Sequence, residues 1–255
     1  MASGYAYSEP SRSPLFYCPP LPPARFFAVF NRHIPNRRSS AVILRLIFHG
    51  RSRQAQSMGK LIMVRHGESE ANRSRIFAAS GEVPLTEVGR RQAQELAERI
   101  SSRLRPQRIV SSKFKRALQT AEIIAAGLQL PLEVVEGLQE RDLGYLKGRP
   151  WAEMPEASAE AANFLKSEEQ WVWRPEGGES YEEVRRRAVA VLLALAERYP
   201  QEAVVVVSHG AVMLAVWAHL AGGYRHARVP RNCGIVLIEY QAGVLGSPQI
   251  FEDDQ

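Results

Sequence analysis

Cysteine is scarce in this chain of 255 residues, which contains only Cys18 and Cys233. Two cysteines so far apart cannot form the disulfide framework of a small secreted domain, so they favour a reducing, cytoplasmic location. Paired cysteines and the His-x-x-x-His spacing, which are common signatures of zinc sites, are also missing from the sequence. We therefore expect neither a metal ion nor another cofactor.

Charged residues are missing from one long window, residues 203–223. A window of this length without Asp, Glu, Lys or Arg resembles a membrane-spanning helix. However, Ser208-His209-Gly210 interrupts it, with a Val-rich run before these residues and an Ala/Leu-rich run after them. We interpret the window as a buried strand, a turn and a helix, and we expect no association with a membrane.

Acidic residues are almost absent from residues 1–57, which hold eight Arg, no Lys and only Glu9. This segment carries a net charge of +7, whereas the whole chain carries +6, so the domain that we predict over residues 58–255 is nearly neutral. The basic balance of the chain therefore does not indicate a nucleic-acid partner. We expect residues 1–57 to be disordered. They resemble an organellar transit peptide in composition, and an over-extended start upstream of Met58 explains them equally well.

Short apolar runs alternate with helical patterns from Lys60 onward. The apolar runs predict buried strands at 61–64, 108–112, 204–207 and 234–240, the last of which closes the set. The helical patterns predict a helix after the N-cap Thr86, with Val88, Gln92, Leu96 and Ile100 four residues apart, a helix at 117–126 closed by Gly127, and a helix from Ser180 to about Tyr199. This alternation predicts an α/β fold with three layers, α/β/α, around a mostly parallel central sheet.

The block 138–178 interrupts the alternation with Gly and Pro residues. It also carries the aromatic residues Trp151, Phe164, Trp171 and Trp173. We predict an irregular lid insertion, in which the aromatic residues mainly pack and one or two line a substrate pocket.

Two histidines, His66 and His209, each follow a predicted strand and precede a glycine. In open α/β sheets, ligands bind outside the carboxyl ends of the strands, so this placement directs both imidazoles towards one crevice. Arg65 lies beside the first histidine, and Arg116 begins the helix after the second strand. Each residue alone is most simply a paired or solvated polar group. Together they indicate an anion pocket, because guanidinium groups match phosphate oxygens.

These residues belong to a longer ordered set of motifs. In chain order, the set comprises Val64-Arg65-His66-Gly67-Glu68-Ser69 with Asn72, Leu85-Thr86 with Gly89 and Gln92-Ala93, Ser112 with Arg116-Ala117 and Gln119-Thr120-Ala121, Glu140 with Gly144 and Gly148, Gly177-Gly178-Glu179-Ser180, and Ser208-His209-Gly210. In order and spacing, the set resembles the histidine phosphatase superfamily, also called phosphoglycerate-mutase-like, over nearly all of residues 60–240. Lys113 departs from the pattern, because the family commonly has an acidic residue there. We expect this difference to tune activity rather than abolish it.

The resemblance implies that His66 attacks phosphorus and becomes a phosphohistidine. Such an attack requires a neutral imidazole, which neighbouring guanidinium groups favour. The resemblance further implies that Arg65, Arg116 and His209 hold the phosphoryl oxygens, that Asn72 donates a hydrogen bond, and that Gly67 lets the backbone turn closely around the phosphate.

The resemblance also implies that Glu140 is the general acid and then the general base of hydrolysis. On spacing alone, Glu140 could equally pair with the neighbouring Arg141 or another arginine in a polar loop. The motif around it, with Gly144 and Gly148 following, favours the catalytic role.

The resemblance leaves three functions open. The first is a phosphoric monoester hydrolase of the histidine acid phosphatase type, acting on a small phosphorylated metabolite such as a sugar phosphate or a phosphoglycerate derivative. The second is a phosphoglycerate mutase, and the third is a phosphate-binding homologue without turnover. The mutases resemble one another in a longer, basic insertion after the Glu140 motif, whereas only 26 mostly acidic or apolar residues separate Gly148 from Pro175 here. We therefore expect a phosphatase.

Overall fold

A computed structural model describes residues 58–153, 171–224 and 227–251. The expectations about residues 1–57 lie outside the described residues, and so does the part of the lid that contains Phe164.

Four parallel strands form the half of the sheet that carries the predicted motifs. They are β1 (Gly59–Arg65), β2 (Arg108–Ser111), β3 (Leu132–Val134) and β4 (Ala203–Ser208), in the order β3-β2-β4-β1. Strand β5 (Ile235–Gln241) lies antiparallel beside β1, and it pairs with β6 (Val244–Leu245) and β7 (Gln249–Phe251). The expectation that 234–240 is the last strand is therefore wrong. The sequence pattern also missed β3, because its three residues are only partly buried or exposed.

Within the described residues, five helices accompany the sheet: α1 (Glu70–Ser74), α2 (Glu87–Arg103), α3 (Lys115–Leu128), α4 (Tyr181–Arg198) and α5 (Gly210–Leu220). Short 3-10 turns lie at Gly144–Leu146 and Trp151–Glu153. Alternate residues of the central strands face opposite layers, as a strand period of two requires. Leu61 and Met63 pack in a core with α4 and α5, whereas Ile62 and Val64 pack in a core with α2 and α3. The predicted three-layer α/β/α fold is confirmed.

Two details of the predicted helices are wrong. Helix α3 continues through Gly127 and ends at Leu128, and Gln129 caps it in the left-handed region at φ 54°. In α2, Val88 is 41% exposed. The buried face of α2 is instead formed by Gly89, Ala93, Leu96, Ala97 and Ile100. The small residues on this face let α2 approach its neighbours closely. A search for large apolar residues at helical spacing does not detect such a face.

The charge-free window 203–223 contains β4, the short connection at His209 and α5, as predicted. Among the described residues, no helix has both the length and the apolar character needed to cross a membrane.

The loop after β1 contacts the beginning of α2 backbone to backbone. A Cβ atom on Gly89 would lie 2.1 Å from the carbonyl oxygen of Glu68, and one on Gly67 would lie 2.5 Å from the carbonyl oxygen of Gly89. Only glycine at both positions permits this approach, which fixes the backbone directly after His66.

Replacing Gly89 by alanine should therefore destabilise the domain. Because the new methyl group meets backbone atoms that cannot rotate away, we expect the Gly89→Ala substitution to lower the free energy of unfolding by about 1–3 kcal/mol. Urea unfolding followed by circular dichroism measures the effect. Gln94→Ala, on the exposed face of α2, is the matched control and should stay within about 0.5 kcal/mol of the parent. Equal stabilities for the two variants would contradict the close approach.

Candidate active site

The pairing of β1 with β4 brings the two predicted histidines together. Arg65 is paired with Ser208 across the two strands, so His66 and His209 follow at the same edge of the sheet. The backbone N–H of His66 donates to the carbonyl of Ser208 at 3.0 Å, and the two imidazole rings lie 5.2 Å apart between centroids. Strand β2 pairs with the other side of β4 and leads into Arg116 at the start of α3. The crevice expected from the strand ends is therefore present.

His66 is held in one tautomer by its two ring contacts. Its Nδ1–H donates to the carbonyl of Gly67 at 2.7 Å, and its Nε2 accepts from Nε of Arg116 at 3.2 Å. The lone pair of Nε2 therefore faces the guanidinium of Arg116. Burial lowers the pKa of His66 well below its usual value, and Arg116 lowers it further. The ring is thus neutral at neutral pH. Burial lowers its pKa more than the neighbouring guanidinium groups do, although the sequence had suggested the guanidinium groups as the cause.

His209 lies behind His66 and is fully buried. Its Nε2 is 2.9 Å from Oγ of Ser112, and the ring of Phe114 meets it edge-on at 5.5 Å between centroids. Burial lowers its pKa well below the usual value, and the positive charge of Arg116 adds to this effect. His209 is therefore also neutral at neutral pH.

Three buried side-chain nitrogens of the predicted site have no hydrogen-bond partner among the described residues: Nε of Arg65, Nη1 of Arg116 and Nδ1 of His209. Buried polar atoms without partners are rare, because each one costs stability. Desolvation lowers the pKa of both arginines, but a guanidinium stays charged at neutral pH. Arg65, His66 and Arg116 line one cavity. Gly210 at the beginning of α5 also lines it and adds the positive end of a helix dipole. The arrangement suits an anion of high charge density.

Asn72 lines the cavity, whereas Gly67 does not. The Oδ1 atom of Asn72 accepts from the backbone of Ser69 and from Nδ2 of Asn232, each at 3.2 Å, so its NH₂ group is the donor that Asn72 offers to the cavity. Gly67 instead donates its backbone N–H to Oγ1 of Thr120 at 3.1 Å. The structure thus explains Gly67 by its packing against Gly89 and not by contact with the cavity.

Glu140 lines the cavity, and backbone groups fix its carboxylate. Its Oε1 accepts from the backbone N–H groups of Arg141 at 3.0 Å and Ala211 at 3.1 Å. The guanidinium of Arg141 points elsewhere and donates to the carbonyls of Glu179 and Trp173. The alternative in which Glu140 pairs with the side chain of Arg141 is therefore not what the structure shows.

Sequence reasoning missed Arg187 of α4, which anchors the segment that carries Glu140. Its guanidinium donates to the carbonyls of Gly137, Gln139 and Glu140 at 2.9, 2.7 and 3.3 Å. It also forms a two-point ion pair with Glu179 at 2.9 and 2.8 Å. No spacing rule links positions 140 and 187, although Glu179 was visible in the Gly177-Gly178-Glu179-Ser180 motif.

Asn232 is a second residue that the sequence did not indicate. Its Nδ2 donates to the backbone carbonyl of His66 at 2.9 Å and to Oδ1 of Asn72 at 3.2 Å. The same segment accepts a 3.0 Å hydrogen bond from Nη1 of Arg65 at the carbonyl of Pro230. The segment that leads into β5 therefore forms hydrogen bonds with three predicted site residues, Arg65, His66 and Asn72.

The basic residues around Arg116 do not form a patch. Lys113 pairs with Glu136 at 2.9 Å, and Lys115 lies 4.0 Å from Glu82, with all four side chains well exposed. Lys113 is also outside the residues that line the cavity. This separation does not favour nucleic-acid binding. Among the described residues, no group of three or more His, Cys, Asp or Glu side chains is placed to hold a metal ion.

Comparisons with known proteins agree with the motifs. A family model described as "Histidine phosphatase superfamily (branch 1)" matches residues 61–247. The metal-independent phosphoserine phosphatase of Arabidopsis thaliana is 36% identical over 163 residues, which is 63% of this chain and 68% of that protein. Phosphoglycerate mutase-like protein 4 of Arabidopsis thaliana is 35% identical over 195 residues, which is 76% of this chain and 85% of that protein.

A solved structure is also similar. The structure of a mycobacterial glucosyl-3-phosphoglycerate phosphatase aligns with a TM-score of 0.66 at 26% identity. The alignment covers 76% of this chain and 98% of that one. The resemblance drawn from the ordered motifs is thereby confirmed.

The two buried histidines should make stability depend on pH. Their pKa values are lowered in the folded state, so the unfolded chain binds more protons below about pH 6.5. We expect the free energy of unfolding to fall as the pH drops from 7 to 5.5, by up to about 1.4 kcal/mol per pH unit for each histidine below pH 6.5. Urea unfolding across this range should show a shallower dependence for the His66→Gln/His209→Gln protein. Parallel curves for the two proteins would contradict neutral burial of the pair.

Proposed function

The chain belongs to branch 1 of the histidine phosphatase superfamily, and we propose that it hydrolyses small phosphomonoesters through a phosphohistidine on His66. The observation that carries this proposal is the set of buried side-chain nitrogens of Arg65, Arg116 and His209 that lack a partner among the described residues, together with the neutral His66, whose Nε2 contacts Arg116. A phosphoryl group bound there would give every one of these donors an acceptor.

In the first half-reaction, Nε2 of His66 attacks phosphorus while the bond from phosphorus to the ester oxygen breaks. Nε of Arg116, which contacts Nε2 in the free protein, then becomes a donor to a phosphoryl oxygen. The imidazole gains positive charge as the bond forms, and the carbonyl of Gly67 stabilises that charge by accepting from Nδ1–H. The guanidinium groups of Arg65 and Arg116 balance the negative charge of the phosphoryl oxygens, and the neutral ring of His209 contributes a hydrogen bond.

Glu140 handles the proton in both halves of the proposed reaction. Both backbone hydrogen bonds fall on Oε1, so Oε2 is the oxygen that gives a proton to the leaving alkoxide. In the second half-reaction, the carboxylate takes a proton from the water that attacks the phosphohistidine. Inorganic phosphate is then released, and the neutral ring of His66 is restored.

The finer assignments are also proposals. A metal-independent reaction is supported by the name of the plant phosphoserine phosphatase and by the arginines, which supply the positive charge that a metal would otherwise provide. An enzyme of the histidine acid phosphatase type is supported by the lowered pKa of His66, because the nucleophile stays neutral in acid. A cytoplasmic location is consistent with the free, buried Cys233. Organellar import through residues 1–57 is the alternative.

Phosphoglycerate mutase is the second candidate function, favoured by the name of the second plant relative. A mutase must return the phosphoryl group to a sugar acid before water reaches it. A homologue that only binds phosphate is disfavoured, because the nucleophile His66, both arginines and Glu140 line one cavity. Incubation with 3-phosphoglycerate distinguishes the two enzymes, since a mutase produces 2-phosphoglycerate and a phosphatase produces inorganic phosphate.

Removing the nucleophile tests the proposal most directly. We expect His66→Ala to lower kcat for p-nitrophenyl phosphate by about 1,000-fold or more, because no phosphohistidine can form. His219→Ala, which removes an exposed imidazole on α5, is the matched control and should keep the parent rate. EDTA should leave the rate unchanged. Release of p-nitrophenol at the parent rate by the His66→Ala protein would falsify the mechanism.

The role of Glu140 predicts a dependence on the leaving group. p-Nitrophenolate departs without a proton, whereas an alkoxide needs one, so Glu140→Gln should slow ethyl phosphate about 100-fold more than p-nitrophenyl phosphate. Arg187→Lys, which loses the two-point contact to Glu179, should show the same selective loss to a smaller degree. Steady-state kinetics with both esters measure the effect. Equal losses on the two esters would show that Glu140 does not transfer the proton.

A further inference from the structure

The cavity in front of His66 has a volume of about 320 Å³ and two chemically different groups of lining residues. Arg65, His66, Arg116 and Glu140 form the charged group. Much of the remaining wall is aromatic or aliphatic and includes Ile76, Phe77, Phe114, Trp151, Leu214 and Val229. We infer, on the basis of the function proposed above, that the substrates are monophosphate esters of hydrophobic alcohols and not of carboxylate-bearing ones such as sugar acids or serine.

The apolar wall is held by backbone hydrogen bonds and is not a loose loop. The N–H of Phe77 donates to the carbonyl of Arg149, and the carbonyl of Phe77 accepts from Gly148, both at 2.9 Å. The N–H of Trp151 donates to the carbonyl of Arg75 at 3.0 Å. Two segments distant in sequence are thus joined so that Phe77 and Trp151 face the same space.

The cationic side chains of the cavity other than Arg65 and Arg116 already have partners within the protein. Among the described residues that line the cavity, the further cations are Arg141 and Lys147. Lys147 forms an ion pair with Asp142 at 2.7 Å. The guanidinium of Arg141 donates to two backbone carbonyls and lies 4.0 Å from the centroid of the Tyr181 ring. A substrate carboxylate would have to compete with these partners, which disfavours a carboxylate in the leaving alcohol.

The size and character of the wall set the expected preference. A cavity of about 320 Å³ is near the lower limit for ligand pockets, so it suits phosphate joined to a short chain or a single ring. Each methylene group transferred from water to an apolar surface strengthens binding about fourfold. Lengthening the alcohol should therefore raise kcat/KM until the cavity is full.

Primary alkyl phosphates test this inference without changing the reactivity of the leaving group. With the full chain, we expect kcat/KM for n-hexyl phosphate to exceed that for ethyl phosphate by about tenfold or more. It should also exceed the values for 3-phosphoglycerate and phosphoserine. A higher kcat/KM for either carboxylate-bearing ester would overturn the inference while leaving the hydrolase intact.

Substitutions in the apolar wall test whether this wall causes the preference for hydrophobic esters. Phe77→Ala and Leu214→Ala should each lower the ratio of kcat/KM for hexyl over ethyl phosphate by about three- to tenfold. Tyr145→Ala is the matched control, because Tyr145 is exposed and lies outside the residues that line the cavity. The ratio is internal to each protein, so a general loss of folded enzyme cancels. An unchanged ratio in both wall variants would contradict the assigned surface.

Binding separates failure of the inference from failure of the proposed function. Titration calorimetry with the His66→Ala protein should show tighter binding of hexyl phosphate than of ethyl phosphate. If the parent chain turned over none of the esters but this preference held, the hydrolase would be wrong and the ligand class right. Equal binding of the two esters would refute the ligand class whether or not the parent chain is active.

Discussion

The parallel pairing of β1 with β4 determines where the two histidines of the site lie. Its register places Arg65 opposite Ser208, so each strand delivers its histidine to the same edge. Both strands are buried on both faces, with Leu61 and Ile62 packed in opposite cores. A shift by one residue would exchange these side chains between the cores, and this cost holds the register. The precision of the site is therefore a consequence of the packing of the whole sheet.

This placement concentrates unpaired positive charge in a buried space. Arg65 and Arg116 are partly or largely desolvated, and the two imidazoles between them are kept neutral. Three buried donors lack partners among the described residues, which costs stability in the free protein. A bound phosphoryl group offsets that cost, since it supplies an acceptor for each donor. Burial of the site and the charge of Arg116 keep His66 neutral, as its proposed role as the nucleophile requires.

Support for the site comes from parts of the chain far from it in sequence. Arg187 of α4 fixes the backbone around Glu140, and Asn232 joins the carbonyl of His66 to Asn72. The apolar wall likewise depends on hydrogen bonds between the loop at Phe77 and the segment at Arg149. In the proposed function, acid–base chemistry, phosphate binding and selectivity for the alcohol would thus depend on separate groups of contacts.

The sequence by itself determined the layer architecture, because alternating apolar runs and helical patterns admit few other arrangements. It also determined the identity of His66, His209, Arg65, Arg116 and Glu140 as candidates, because these lie next to strand ends or within ordered motifs. It did not indicate β3 or the close contact of Gly67 with Gly89, because short, half-exposed strands and backbone approaches leave no hydrophobic period. Only the tertiary structure decided the tautomer of His66, the roles of Arg187 and Asn232, and the apolar character of the cavity. These depend largely on contacts between residues far apart in the chain, such as Arg116 with His66 and Asn232 with His66, which are 50 and 166 positions apart. No local pattern encodes such contacts.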